Sequence, residues 1–224
     1  MKSYSKYLMS VLLIILSFSV FAEKSSILTT EKNTDGSEWL IEKNGESYNL
    51  KYINAKGDIY SNDKIITSDI EGSGLFLNSE SDGTVSLVMD YPRDVYTFKF
   101  TSGKKPLFIS ACKQITLPSS ENQVEALLTL CSKDDEKTGL NLSSLDVSKL
   151  LKSDNLVLKG KVKTLIGSDK AFLYDENKKQ QRNKPYLIKG DVVEILEYKS
   201  SMLHIKYTSK SRTVIAWIKF IDIL

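Results

Sequence analysis

The stretch that decides the fold is Tyr186-Leu-Ile-Lys-Gly-Asp-Val-Val-Glu-Ile-Leu196, followed by Leu203-His-Ile-Lys-Tyr207 and Ala216-Trp-Ile-Lys219. Val192, Val193, Ile195 and Leu196 are β-branched or bulky apolar residues directly after Lys189-Gly190-Asp191, a turn signal. Leu203, Ile205 and Tyr207 alternate with Met202, His204 and Lys206, the period-two pattern of a half-buried strand. The polar stretch 208–212 suits a hairpin loop, and 213–218 is strand-like again. Short strands punctuated by turns predict a small closed or sandwiched β unit over 158–224.

With Ala171-Phe-Leu-Tyr-Asp175 and a polar opening loop added, this order resembles the bacterial Src-homology-3-like domains. The resemblance rests on the Lys-Gly-Asp diverging turn, a short n-Src-type loop at 199–201 and the late Trp217-Ile218 pair. It implies a C-terminal small β-barrel that binds rather than catalyses. Its groove would lie between the opening loop and the n-Src-type loop, with Tyr174, Met202 and Trp217 as anchors and Lys178, Lys179 and Arg182 above them. Ser201-Met202 stands where signalling domains of this fold place paired tryptophans, and the opening loop is basic, so polyproline recognition does not follow.

Working outward, the amino terminus reads as an export signal. Lys2 and Lys6 precede an apolar stretch over 8–21, and Val20-Phe21-Ala22 offers a cleavage site after Ala22. No cysteine follows for lipid attachment, and no later stretch is apolar enough to span a bilayer, so no stable membrane insertion is expected after cleavage. The expected compartment is the periplasm or the exterior. Export removes the chain from nucleic acid, and no recognition motif for it appears.

Residues 158–224 hold 14 Lys or Arg against 7 Asp or Glu, a net of +7, whereas 23–157 hold 15 against 21, a net of −6. Such asymmetry speaks to partners rather than to fold. It points the C-terminal unit towards an anionic partner, an envelope protein or peptidoglycan-type ligand, or the two halves of the chain towards each other.

Residues 23–131 read as a β-rich domain. Candidate strands at 39–41, 48–52, 64–67, 75–77, 85–89, 95–100 and 107–115 are separated by turn signals such as Asn44-Gly45 and Asp82-Gly83. A helix is expected to end it, capped by Ser119 or Ser120, with Val124, Leu127, Leu128 and Cys131 on one face. A linker over 132–157 with a short helix at 145–151 leads into the C-terminal unit. The fold class is thus mainly β, with one or two short helices.

Cys112 and Cys131 are the two cysteines of the chain. Export and an even count favour a structural disulfide over buried thiols or a redox pair. On this reading the bridge pins the helix to the sheet and is worth about 3 kcal/mol. Catalytic signatures are sparse. His204 is the single histidine, expected to face solvent or a groove, and no nucleophile elbow occurs. Neither a metal site nor a cofactor is expected. Asn78-Ser-Glu-Ser-Asp-Gly83 begins like a calcium loop, but its twelfth position is Met89, and a hairpin turn is the simpler reading. The expected function is a non-enzymatic envelope-binding protein. The alternatives are an inhibitor or immunity-type protein that occludes a toxin or cell-wall hydrolase, and an enzyme in the N-terminal domain.

Overall fold

The computed structural model describes residues 25–118, 126–133, 140–210 and 212–224, and the expected export signal lies outside them. The chain is mainly β. Strands β1 (Ser26–Lys32), β2 (Glu38–Asn44), β3 (Ser47–Ile53) and β4 (Ile59–Asn62) form an antiparallel meander in that order. A second meander follows: β5 (Leu75–Ser79), β6 (Thr84–Asp90), β7 (Asp94–Thr101), β8 (Leu107–Leu117), β9 (Ala126–Ser132) and β10 (Leu156–Leu158).

Both sheets turn one face inward. Trp39, Ile41, Leu50 and Tyr52 of the first meet Leu87, Phe98, Phe100 and Phe108 of the second in one core. Trp39 lies 4.8 Å from Tyr52 and 5.1 Å from Phe100, ring centre to ring centre, so aromatic contact adds to the burial. The core is closed from the side by Leu142, Leu145 and Leu150, around a short helix, α1 (Val147–Leu150). Its N-cap Asp146 accepts the Ser148 amide at 3.0 Å, as the short helix expected at 145–151 requires.

Two local expectations need correction. The helix expected over 119–131 is strand β9 where it is described, while Ser119, Ser120 and Val124 lie outside the described residues. Leu127 and Leu128 share a helical face but fall on opposite faces of a strand. Leu127 is half exposed, and Leu128 and Leu130 are buried. Pairing with β8 therefore outweighed the helical spacing. The strand expected at 64–67 is an irregular crossing with Ile65 and Ile66 buried. Buried Asn62 fixes it, accepting from the Lys64 amide and donating to the carbonyls of Leu142 and Leu145.

The cysteines are bridged as expected, but the bridge joins two strands. Cys112 and Cys131 face each other across the β8–β9 ladder with Cα atoms 4.0 Å apart. The bridge sits where β8 passes from one core to another. Phe108 and Ala111 belong to the sandwich core, and Ile115 and Leu117 to a second core.

That second core lies under the C-terminal unit, a four-stranded antiparallel sheet. Its strands are β11 (Val162–Leu165), β14 (Val192–Lys199), β15 (Met202–Thr208) and β16 (Thr213–Lys219), with a separate two-stranded hairpin of β12 (Ala171–Phe172) and β13 (Tyr186–Leu187). These strands do not close into the barrel expected from the sequence. The outer strands β11 and β16 do not pair, and the β12–β13 hairpin is not a member of the four-stranded ladder. Core residues Val193, Ile195, Leu203, Ile205 and Ile218 pack with Leu128, Leu130 and Leu156, so the second core draws on strands outside 158–224 as well.

Candidate functional site

The candidate site is built on the outward face of the C-terminal sheet. In β16, Ala216 and Ile218 point into the core, so period-two alternation turns Trp217 to the other face. The same alternation in β15 turns His204 outward between buried Leu203 and Ile205. The β15–β16 register sets His204 directly opposite Trp217, and the two rings stack with centres 4.9 Å apart and planes 13° from parallel. Glu197 of β14 is the next residue across the ladder.

An outward-facing tryptophan on a bare sheet would be exposed, but a loop of the same chain covers this one. The loop leaves β12 and pairs briefly with β16: the Tyr174 amide donates to the Trp217 carbonyl at 2.8 Å, and the Trp217 amide returns a bond at 3.0 Å. Asp175 then folds the loop back. Its carboxylate accepts the amides of Asn177 and Lys179, both at 2.9 Å, an Asx-type turn. Lys178 occupies the left-handed region at φ 59°, an uncommon conformation for a residue with a Cβ.

The turn delivers two charged side chains onto Trp217. The Lys178 ammonium lies 4.9 Å from the indole centre and donates to the Lys199 carbonyl at 3.0 Å, tying the opening loop to the end of β14. The Glu176 carboxylate accepts the indole N–H at 3.4 Å, and its other oxygen lies 3.6 Å from His204 Nε2. That nitrogen is buried and makes no hydrogen bond among the described residues. Trp217 is left only 5% exposed.

Tyr174, Lys178 and Trp217 are thus brought together. Met202 is half-buried in the same sheet, paired with Lys199 and Lys219. Lys179 and Arg182 are exposed on the loop. The indole is thus covered rather than part of an open aromatic groove, with Lys178 against it. His204 and Glu176 were absent from the expected site. Alternation alone put His204 on Trp217's face, so its place was readable, whereas that of Glu176 depends on how Asp175 turns the loop.

At the base of the unit, Asp191 of the diverging turn accepts the Ile188 amide and the Tyr207 hydroxyl, and its negative charge pushes the Tyr207 phenol above its usual range. Asp222, in the final 3₁₀ turn Phe220–Ile223, is raised by burial despite bonds from the Lys219 amide and Ser168. Gly167 lets this turn dock, since a Cβ there would stand 2.6 Å from the Leu224 carbonyl oxygen.

The residues 78–83 form the β5–β6 turn, where Asp82 is spent on the Thr84 amide and hydroxyl and on Lys99. Among the described residues no group of three or more His, Cys, Asp or Glu could hold a metal ion. Among the same residues no helix is long and apolar enough to cross a membrane. Comparison with protein-family models, curated proteins and solved structures finds no match to this chain.

Proposed function

We propose that the protein is an exported, non-enzymatic binding protein of the bacterial cell envelope, with its C-terminal unit as an open relative of the Src-homology-3-like domains. The observation that carries this reading is the basic loop laid over Trp217. Lys178 is fixed by the indole and the Lys199 carbonyl, while Lys179 and Arg182 are exposed on the same loop, in a segment with a net charge of +7. One fixed cation with two exposed ones on the same loop favours an anionic partner through their summed positive field. The partner is an envelope protein or a peptidoglycan-type ligand carrying carboxylates or phosphates. The bridged cysteines and the export signal read from the sequence support an oxidising compartment, with cleavage after Ala22.

The test is affinity capture from envelope extract by mature protein and by a Lys178→Ala, Lys179→Ala, Arg182→Ala variant. The expected outcome is a species retained by the parent, released by salt and lost from the variant. Equal retention by both proteins removes the loop from the binding surface. If the retained species is a secreted toxin or wall hydrolase whose activity falls on binding, the protein is instead an inhibitor.

A further inference from the structure

The sandwich carries a second concave surface, built on different strands from the Trp217 cluster. A cleft of about 680 Å³ opens beside the turn that joins β6 to β7, within the range of roughly 300–1,000 Å³ common for ligand sites. Clefts of about 580 Å³ and 720 Å³ adjoin it on either side and share Pro92 with it, so the three form one trough around the turn.

Tyr91 and Tyr96 line the central cleft, half-buried and edge to face at 5.5 Å. Each is fixed by its own polar neighbours. The Tyr91 hydroxyl shares a hydrogen bond with Thr67 and reaches Asp69 at 3.4 Å. The Lys113 ammonium lies 5.2 Å over the Tyr96 ring and 2.8 Å from Asp94. Arg93 lines the same cleft and is exposed, its guanidinium making no hydrogen bond or ion pair among the described residues.

The chemistry of these groups narrows the ligand. Two carboxylates and two cations balance in the central cleft, and Glu71 and Asp90 add negative charge to one adjoining cleft, so a phosphate is not favoured, while among the described residues no group of three acidic side chains is placed to hold a metal cation. A wholly apolar ligand would strip water from four charged side chains without replacing their hydrogen bonds. An extended peptide would recruit an unpaired strand edge, but β6, β7 and β8 are interior strands with neighbours on both sides. A pyranose chain meets every requirement. Its C–H faces pack on tyrosine rings, and its hydroxyls both donate to carboxylates and accept from guanidinium and ammonium. A trough continuing past the central cleft at both ends suits several linked sugars.

We propose that this trough is a binding site for a neutral oligosaccharide, with Tyr91 and Tyr96 as the packing surface and Asp69 and Arg93 as the hydroxyl-binding groups. The site is independent of the loop over Trp217, and either can fail without the other.

The test uses purified protein carrying residues 23–224, titrated with the tetramers of N-acetylglucosamine, β-1,4-glucose and α-1,4-glucose at millimolar concentration, with binding mapped by amide chemical shifts. Saturable shifts confined to 67–74, 89–96, 113–118, 147–151, 220 and 224, the lining of the trough, are expected with at least one sugar. Arg93→Ala should weaken that sugar by about tenfold, and Tyr91→Ala by at least as much, while Lys179→Ala leaves it unchanged. Arg93 makes no side-chain bond among the described residues that its loss could break, so this variant remains informative even if Tyr91→Ala misfolds. No saturable shift with any of the three sugars overturns the proposal. So do shifts elsewhere, unaltered affinity in Arg93→Ala, or binding at the trough of a random octapeptide pool in place of the sugars.

Discussion

In the sandwich, Trp39 lies between two sheets and its indole N–H donates to Ser102, a partner on the facing sheet's own turn. In the C-terminal unit Trp217 lies on the outward face of a single sheet and is covered by a loop, its N–H donating to a loop carboxylate. Both indoles end almost fully buried, at 0% and 5% exposure, but by cover of different kinds. A sheet can leave only by breaking a core, whereas a loop held by a cation, a carboxylate and two backbone bonds can open locally. The C-terminal cover is therefore the one that can open without breaking a core. The two regions also share structure, because β8 enters both cores and the Cys112–Cys131 bridge marks the crossing.

That sharing gives the largest expected effect. A fragment of residues 156–224 lacks Ile115, Leu117, Leu128 and Leu130, four buried members of its core. Loss of a single buried leucine side chain commonly costs about 2–5 kcal/mol, so the fragment should not fold cooperatively alone. A fragment of residues 105–224 retains all four. A sharp thermal transition and dispersed amide spectrum from the shorter fragment would show that the two regions are separable after all.

Next comes the bridge at the crossing. Closing the 19-residue separation between Cys112 and Cys131 should stabilise the chain by about 3 kcal/mol in the chain-entropy account. Denaturant unfolding of a Cys112→Ala, Cys131→Ala variant should show that loss. It should appear in tryptophan signals from both regions together, with Trp217→Phe and Trp39→Phe backgrounds separating them. A midpoint shift in one region only would mean that β8 does not couple the cores.

The turns sharpen the contrast on a smaller scale. The β14–β15 turn places Ser200 and Ser201 at φ 50° and 61°, conformations that favour asparagine and glycine. Ser200→Asn with Ser201→Gly should raise stability by about 1 kcal/mol, read from the denaturation midpoint. An unchanged or lowered midpoint would show that these serines carry an interaction worth the strain. The β5–β6 turn instead uses Gly83 at φ 79° and the Asp82 carboxylate. The Thr84 hydroxyl, with Lys99 and the Thr84 amide, lowers the pKa of Asp82 from 3.8 to about 2. A depressed carboxylate stabilises the fold above its unfolded pKa and loses that contribution as pH falls through the folded one. Its contribution should therefore be present above pH 3.8 and fade towards pH 2. Asp82→Asn should flatten the acid limb of the stability curve in that window, and an unchanged limb would mean the turn is held by its backbone alone.

Strands β14 and β15 were legible because each alternates cleanly, with Val193 and Ile195, Leu203 and Ile205 as the buried members, and β16 from its apolar run, whereas the short β11 (Val162–Leu165) was not read as a strand. The 126–132 strand was not, because Leu127, Leu128 and Cys131 also satisfy helical spacing and only the pairing with β8 decides between them. Barrel closure was expected from strand order, but closure depends on whether the outer strands meet, which local pattern does not encode. At the candidate site, Tyr174, Lys178 and Trp217 were read as neighbours and lie together. That the loop would cover the indole was hidden. It depends on an Asx turn at Asp175 and a left-handed lysine, and neither has a glycine to announce it. The trough beside Tyr91 was invisible for a related reason, since 67–69, 91–96 and 113 meet only across the fold.

The central claim is that the loop over Trp217 meets the partner. Photo-crosslinking in living cells tests it most directly, with a photoreactive residue at exposed Asn183 of the loop or at exposed Lys56 on the sandwich. The account predicts a discrete adduct from Asn183 that disappears when Lys178, Lys179 and Arg182 are changed to alanine, and none from Lys56. A discrete adduct from Lys56 with none from Asn183 would contradict it and place the partner on the sandwich.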